Sequence, residues 1–149
     1  MKKILLFWAL FVGVLTFTMS ACGDDDVDLV PDHVPAVVKE SLEAMFPGAM
    51  ARWELERGLY KAEFYNSDRK EVNVYFEKNG TWAKTHTDFN PMDLPQVVKD
   101  YAATNYSDRY IEDVDWVETP QINYYLLELD RENKNDIYLK ITADGTVIK

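Results

Sequence analysis

The sequence has one cysteine, two histidines and few basic residues among its 149 residues. A single cysteine excludes an intramolecular disulfide. Lysine and arginine number 16 against 26 acidic residues, and nucleic acid and anionic lipid, which require a basic surface, are therefore excluded as partners. His33 and His86 stand apart from each other and from the cysteine, so no metal-ligand spacing and no nucleophile–base pair is present. The sequence predicts neither a catalytic residue nor a metal site nor a cofactor.

The one long apolar run lies at the N-terminus. Two lysines at residues 2–3 precede an apolar stretch at residues 4–18, and small residues then lead to Cys22. This order is typical of a secretory signal peptide, and about 15 apolar residues are short for a membrane-spanning helix. The tetrad Met-Ser-Ala-Cys ending at Cys22 resembles the lipobox of bacterial lipoproteins, with methionine in place of the usual leucine. We predict a signal peptide over residues 1–21 and lipidation of Cys22; an ordinary signal peptide or an uncleaved anchor is the alternative.

An acidic segment, Gly-Asp-Asp-Asp-Val-Asp, follows Cys22 directly. Like charges repel and the segment offers little to bury, so residues 22–33 are predicted to form a flexible tether. The segment also resembles the acidic export signal of surface lipoproteins in Bacteroides-type bacteria. We therefore expect an outer-membrane lipoprotein displayed at the cell surface, with a periplasm-facing position as the alternative. Removal of residues 1–21 takes away two lysines and no acid, which leaves a net charge of −12.

Two segments sixty residues apart are similar: Val34-Pro35-Ala36-Val37-Val38-Lys39-Glu40 and Leu94-Pro95-Gln96-Val97-Val98-Lys99-Asp100. Each has proline where the first turn of a helix tolerates it, followed by apolar residues at helical spacing. Further along, Asn79-Gly80 and Asp144-Gly145 lie between β-rich runs and predict hairpins. We interpret this pattern as one domain, residues 34–149, made of two repeats at 34–87 and 94–149.

Each repeat is predicted to be one helix followed by about four strands. The strands are expected near 51–57, 59–66, 70–78 and 81–86 in the first repeat, and near 111–118, 123–131, 135–142 and 145–149 in the second. Consecutive hairpins imply antiparallel pairing, so the fold class is α+β with the helices on one face of the sheet. Trp53, Leu55 and Trp82 are assigned to the core, and the position of Trp116 is left open.

The opposite face of the predicted sheet carries tyrosines among charged residues. The predicted partner-binding residues are Tyr65, Tyr75, Leu126, Tyr138, Lys61, Glu63 and Lys140. Tyrosine combines a large contact area with a polar tip, which suits protein interfaces. The alternative is that cross-strand tyrosines only stabilise a half-exposed sheet. Glu63 and Glu128, at equivalent positions, are the first carboxylates to consider for acid–base chemistry, but an open face gives little enclosure.

The repeated unit resembles the PepSY-like family, whose fold is similar to that of β-lactamase-inhibitor protein. Its features are a Val-Pro or Leu-Pro helix start, an aromatic-proline helix end and a hairpin glycine that tryptophan often follows. They correspond here to Val34-Pro35, Phe46-Pro47 and Asn79-Gly80-Thr81-Trp82, and in the second copy to Leu94-Pro95, Tyr106-Ser107 and Asp144-Gly145-Thr146-Val147. The resemblance implies a small exported, non-enzymatic module whose relatives bind or inhibit other proteins through an open sheet face. It supplies no catalytic motif and no inhibitory contact residue.

Two functions are expected from these observations. The first is a lipid-anchored, non-enzymatic module that binds or inhibits another protein, for example a peptidase or an envelope enzyme. The second is an envelope receptor for a small ligand or a cation, because acidic residues concentrate in the tether and in the loop at residues 88–93.

Overall fold

The computed structural model describes residues 27–149, so the predicted signal peptide, Cys22 and most of the acidic segment lie outside the described residues. The strands are β1 (Val27–Leu29), β2 (Arg52–Glu56), β3 (Leu59–Tyr65), β4 (Glu71–Phe76), β5 (Trp82–Asp88), β6 (Tyr110–Glu118), β7 (Tyr124–Asp130) and β8 (Ile137–Ile141). The α-helices are α1 (Ala36–Met45) and α2 (Gln96–Asn105), and a short 3-10 helix precedes each of them, at Pro31–His33 and Pro91–Asp93. Within residues 27–149, neither helix is long and apolar enough to cross a membrane.

The eight strands form one antiparallel sheet in the order of the chain, β1 to β8. Hairpins join most neighbours, while α1 lies between β1 and β2 and α2 lies between β5 and β6. The pairing of β5 with β6 makes the sheet continuous across the second of these connections. The α+β class and the antiparallel pairing predicted from the hairpins are therefore confirmed.

The strand count differs from the prediction at both ends of the sheet. β1 lies within the predicted tether, so the ordered chain begins before residue 34. The fourth strand predicted at 145–149 is wrong, because that segment makes only an isolated bridge between Ile141 and Val147. The turn over residues 142–146 bonds Thr142 N–H to the carbonyl of Thr146 at 2.9 Å, which leaves few residues for a ladder. The duplication itself stays a prediction, since three strands follow α2 whereas four follow α1.

Both helices start directly after a proline. Pro35 and Pro95 have nearly identical N-cap conformations, with φ of −54° and ψ of 139° and 141°. Their carbonyls accept the first helical N–H, from Val38 and Val98, at 3.0 Å. Proline is suited to this position because its fixed φ favours helix initiation and it has no N–H to leave unpaired.

The helices cover the same face of the sheet. Cross-strand partners share a face, and the register aligns the apolar residues of β3 and β4 with those of β6, β7 and β8. The first core cluster contains Val34, Val38, Leu42, Trp53, Ala62, Phe64, Val72, Val74 and Phe76. The second contains Leu94, Val98, Ala102, Val114, Tyr125, Leu127, Leu129, Leu139 and Ile141. Trp53 is buried as predicted, and Trp82 and Trp116 pack against the clusters, whereas Leu55 is only half-buried near the β1 edge.

Candidate functional site on the open sheet face

The face of the sheet opposite the helices, the open face, is formed by alternate residues of β2 to β8. All seven predicted partner-binding residues lie on it. The register pairs Lys61 with Tyr75 across β3 and β4, and Leu126 with Lys140 across β7 and β8. Glu63 and Tyr65 follow Lys61 at two-residue spacing, and Tyr138 pairs with Glu128. The predicted placement of these side chains on one face is thus observed; a role in binding remains a proposal.

Two of the three predicted tyrosines are exposed and one is not. Tyr65 is 66% exposed and Tyr138 is 62% exposed. Tyr75 is only 6% exposed, so the expectation that it points into solvent is wrong. Its hydroxyl donates to Glu56 Oε2 at 3.1 Å, and the Lys84 ammonium lies 4.0 Å from the centre of its ring. Tyr75 is therefore covered by the long side chains of its neighbours on the face.

The centre of the open face is packed. Val117 is fully buried although it belongs to neither core cluster, because its partners in the ladder are His86 on one side and Tyr124 on the other. The ring of His86 lies 5.4 Å from that of Tyr75, and its Nδ1 is 3.0 Å from Asp115 Oδ2. His86 is thus packed between β4 and β6, with Asp115 as the hydrogen-bond partner of its Nδ1.

Two buried polar atoms at this centre have no hydrogen-bond partner among residues 27–149. They are His86 Nε2 and Asn73 Oδ1, and their residues are directly opposite each other in β4 and β5. Burying a polar atom without a partner costs free energy, so most such atoms in proteins are paired with protein groups or water. The centre of the face is therefore its least satisfied region.

Carboxylates neutralise the basic residues at the β2–β3 end of the open face. Lys61 Nζ lies 2.5 Å from Glu54 Oε2, and Arg52 lies 2.8 Å from Glu54 and 3.1 Å from Glu63. Burial lowers the pKa of Lys61, but the hydrogen bond to Glu54 and the surrounding negative charges outweigh it, so the pKa is raised overall. Two of the predicted binding residues, Lys61 and Glu63, are thus engaged within the protein.

The β6–β8 end differs in that Glu128 and Asp130 accept hydrogen bonds from tyrosine hydroxyls but form no ion pair with any residue of 27–149. Tyr138 donates to Glu128 Oε1 at 3.1 Å, and Tyr110 donates to Asp130. The bond to Asp130 raises the pKa of Tyr110 to about 12. A cavity of about 30 Å³, the space of one water molecule, lies among Asp113, Asp115, Leu126, Glu128 and Tyr138.

Glu112, Glu128 and Asp136 form an acidic cluster at the same end, with one carboxylate oxygen from each within 4.8 Å of the others. Oxygen ligands of this kind suit a hard cation such as Ca²⁺. Desolvation, followed by the charges of neighbouring carboxylates, raises the pKa of Glu112. Sequence reasoning missed this cluster because its members come from β6, β7 and the β7–β8 turn and meet only through the strand register. Exposed acidic groups commonly cluster without an ion, and the cluster alone defines no site.

The two carboxylates that were predicted at equivalent positions of the two repeats do not meet. Glu63 is on β3 and Glu128 is on β7, four strands apart, which corresponds to about 19 Å at the ordinary strand spacing. They cannot share a proton or a substrate atom. The open face also includes three residues that the sequence patterns did not single out: Lys84, Val117 and Tyr124. The alternation that placed Tyr75 on this face would have placed Lys84 there too, had its cross-strand register been known.

A family model described as "Putative beta-lactamase-inhibitor-like, PepSY-like" matches residues 58–149. The chain belongs to this family. The resemblance inferred from the helix starts and hairpin glycines is therefore confirmed. In the PepSY-like chain, the match covers β3 to the end of the sequence, which includes α2 and most of the open face.

Solved structures of Bacteroides proteins have the same fold. A DUF2874 family protein from Bacteroides uniformis is 25% identical with a TM-score of 0.70, and the similarity covers 77% of this chain and 86% of that one. A protein from Bacteroides eggerthii, described as one of the "putative periplasmic proteins", is 23% identical with a TM-score of 0.71 and coverage of 78% and 87%. A BLIP-like protein from Bacteroides fragilis is 21% identical with a TM-score of 0.67 and coverage of 81% and 86%. No curated protein matches the chain.

Proposed function

We propose that this PepSY-like protein is a non-enzymatic envelope lipoprotein that binds, and in that way inhibits or sequesters, another protein through its open face. The observation that carries this proposal is the one-sided covering of the sheet. Both helices pack on one face, whereas the other face of an eight-stranded sheet exposes Tyr65 and Tyr138. Exposed tyrosines on a rigid scaffold supply contact area at low entropic cost.

The family and the sequence support an envelope location. Relatives by fold include a protein described as periplasmic and another described as BLIP-like. The lipobox resemblance at Cys22 and the acidic residues after it support a lipid anchor, with the outer membrane as the proposed location. Stable anchoring needs more than one acyl chain, which a processed lipoprotein cysteine carries.

The histidine–carboxylate pair on the open face is poorly placed to act as a general base. Asp115 holds His86 through Nδ1, as a carboxylate does in a catalytic triad, but the Nε2 that would act as the base is buried. A general base must reach the proton that it removes. The pair is therefore better suited to holding β5 and β6 together.

Site-specific photo-crosslinking in cells tests the proposal. A benzophenone amino acid is placed at Tyr65 or Tyr138 on the open face, and at exposed Ala44 or Ala103 on the helices as matched controls. Protein adducts are expected from the open-face positions and not from the helix positions. Adducts from the helix positions alone, or none from any position, would contradict a role of the open face in binding.

The second candidate, a receptor for a cation, is favoured by the acidic cluster of Glu112, Glu128 and Asp136. Calcium titration by calorimetry, together with melting temperature with and without calcium, tests it. Binding that is lost in Glu128→Gln and retained in Glu63→Gln would support the receptor. Absence of heat and of a melting shift at millimolar calcium would remove it.

A further inference from the structure

The basic side chains on the open face fall into two classes. Arg52 and Lys61 form ion pairs with carboxylates of β2 and β3. Lys84 and Lys140 form none with any residue of 27–149, and their ammonium groups lie over tyrosine rings instead. The Lys84 nitrogen is 4.0 Å from the centre of Tyr75, and the Lys140 nitrogen is 5.8 Å from the centre of Tyr124.

The position of Lys84 is energetically unfavourable for a cation. Lys84 is half-buried and pairs directly with Tyr75 in the β4–β5 register. Burial lowers its pKa, the charges of Arg57 and Lys140 lower it further, and the charges of Glu56 and Asp115 oppose the shift. A ring face replaces only part of the solvation that a buried ammonium loses. An anion in contact with Lys84 would relieve this cost.

Lys140 reaches towards the same region of the face. It projects from β8 beside Leu126, and its ammonium lies over Tyr124, which is the ladder partner of Val117. Val117 pairs in turn with His86, whose ring lies 5.4 Å from that of Tyr75, the ring beneath Lys84. A continuous row of side chains therefore joins the two lysines, and the charge of Lys140 also lowers the pKa of Lys84. The region between them combines two unpaired positive charges with aromatic surface.

We propose that Lys84 and Lys140, supported by the rings of Tyr75 and Tyr124, bind a side-chain carboxylate of the protein partner. This inference rests on the proposed function and specifies the partner chemistry: a glutamate or aspartate at the centre of the interface. Charge complementarity supports it, because Glu56 and Asp115 near Lys84, and Glu128 two residues along β7 from the partner of Lys140, would repel an acidic group at other positions. The arrangement therefore fixes where the acidic residue docks as well as attracting it.

A side-chain carboxylate fits better than a chain terminus. Terminal carboxylates are commonly held by free backbone N–H groups. Around Lys84 and Lys140, the backbone belongs to the ladders of β4 with β5 and of β7 with β8. Recognition there depends on side chains, which favours a carboxylate on an apolar stem that can rest against aromatic rings.

The experiment uses the isotopically labelled full-length protein in detergent and two blocked tripeptides, acetyl-Ala-Glu-Ala-amide and its glutamine counterpart. Amide shifts are followed by NMR during titration. The glutamate peptide is expected to perturb β5 and β8 around Lys84 and Lys140, and the glutamine peptide is expected to leave them unchanged. Equal shifts from both peptides, or shifts centred on Arg52 and Lys61, would overturn the proposal.

Variants assign the effect to the two lysines. Lys140→Gln, on an exposed side chain, and Lys84→Gln are each expected to weaken the glutamate peptide about tenfold, as loss of a charge-assisted hydrogen bond does. Lys84→Arg should bind normally, and Lys78→Gln, in the exposed β4–β5 turn, is the matched control. Unchanged affinity in Lys140→Gln, whose spectrum also reports folding, would contradict the site. So would tighter binding of acetyl-Ala-Ala-Ala with a free C-terminus.

Failure here is separable from failure of the proposed function. If crosslinks form at Tyr138 and Tyr65 but the glutamate peptide does not bind, the open face binds a partner by other chemistry. If the peptide binds but no protein is crosslinked, the carboxylate site is real and the ligand is not a protein, which overturns the partner assignment.

Discussion

The two halves of the sheet share a packing plan but differ in the charge of their open faces. In the first half, α1 covers β2–β5, and in the second half α2 covers β6–β8. Val38 and Val98 occupy equivalent helix positions and are both fully buried. On the open face, however, the first half pairs Arg52 and Lys61 with carboxylates and leaves Lys84 unpaired only at its border with β6. The second half leaves Lys140 unpaired, and its Glu128 accepts from a tyrosine hydroxyl without an ion pair to any residue of 27–149.

This difference suggests that the helix-covered face determines stability and that the open face determines recognition. Apolar burial under the helices supplies most of the folding free energy, and it needs only similar volume and spacing. The open face contributes less to stability, so its charges are free to vary. A half whose charges are neutralised within the protein has little left for a partner, which makes the second half, with Lys84 at its border, the better binding surface.

The largest expected effects come from the cores. Phe76 and Leu127 are fully buried, one in each cluster. Truncation to alanine should destabilise the protein by about 3–5 kcal/mol for Phe76→Ala and about 2–5 kcal/mol for Leu127→Ala. Because β5 and β6 join the halves, each variant should lower one common unfolding transition, measured by circular dichroism and tryptophan fluorescence in urea. Two separate transitions would show that the halves fold independently.

The two halves also differ in how closely a turn glycine packs against the helix: Gly80 lies in the β4–β5 turn of the first half, and Gly145 lies in the turn after β8 in the second. Gly80 and Gly145 have φ of +86° and +87°, a conformation unfavourable for other residues. A Cβ at Gly80 would lie 2.9 Å from Ser41 Oγ and 3.0 Å from the backbone carbonyl of Val37. At Gly145 the close contact, at 2.8 Å, is with a side-chain methyl of Val97 alone.

Gly80→Ala should therefore cost more stability than Gly145→Ala. We expect about 2–3 kcal/mol for the first and about 1–2 kcal/mol for the second, since both incur backbone strain but only the first meets a backbone atom. Urea midpoints at constant slope measure the difference. Gly58→Ala is the control for strain alone, because Gly58 has φ of +84° with no atom near its Cβ position. Equal losses at the three glycines would mean that the turn–helix contacts add nothing.

Sequence patterns predicted most of the strands well, because helix starts, turns and strand alternation are each determined by residues close together in the chain. Proline before α1 and α2, glycine in the turns and period-two alternation each depend on a few neighbouring residues. They placed Tyr65 and Tyr138 on the open face correctly. The strand β1 and the isolated bridge at Val147 form by pairing with the edge strands of the sheet. Such pairing depends on the partner strand and cannot be read from the segment alone.

The candidate site was harder to predict because its details arise between strands. Tyr75 was placed on the correct face but not recognised as buried, since its cover comes from Lys84 on the next strand and Glu56 on a distant one. Lys61 was assigned to a partner surface, whereas Glu54, one strand away, already binds it. Such contacts follow from register and side-chain length, which alternation alone does not determine.

The difference between paired and unpaired cations on the open face can be tested by measuring the free energy of unfolding of variants at two lysines, Lys61 and Lys84. Lys61→Met should cost about 1–2 kcal/mol, because it removes the closest cation from the buried carboxylate of Glu54. Lys84→Met should stay within about 0.5 kcal/mol of wild type or be more stable, because methionine can still pack on Tyr75 without a desolvated charge. Chemical denaturation at neutral pH measures both. A larger loss for Lys84→Met than for Lys61→Met would reverse our assignment of paired and unpaired cations.

The same lysines should have opposite pH dependences. The raised pKa of Lys61 contributes stability that is present below 10.5, its ordinary value, and is lost as pH rises through the folded-state pKa. The lowered pKa of Lys84 costs stability at neutral pH, and this cost disappears as pH rises towards 10.5. The stability difference between wild type and each methionine variant, measured from pH 8 to 11, should therefore change with opposite sign. Parallel profiles would contradict the contrast.

The smallest expected change concerns a single proton in the second half. The hydrogen bond from Tyr110 to Asp130 raises the pKa of that tyrosine to about 12, so its contribution to stability is present below pH 10 and is lost between pH 10 and about 12. Asp130→Asn should return the pKa towards the ordinary value of about 10, seen as loss of the last step in an absorbance titration of the tyrosines. Glu71→Gln, which removes the carboxylate beside Tyr65, is the control in the first half and should leave that last step in place. No basic side chain of residues 27–149 forms an ion pair with Asp130. If the last step of the tyrosine titration survived in Asp130→Asn, it would mean that tyrosine hydroxyls do not take the place of basic side chains as partners of the carboxylates in the second half of the open face.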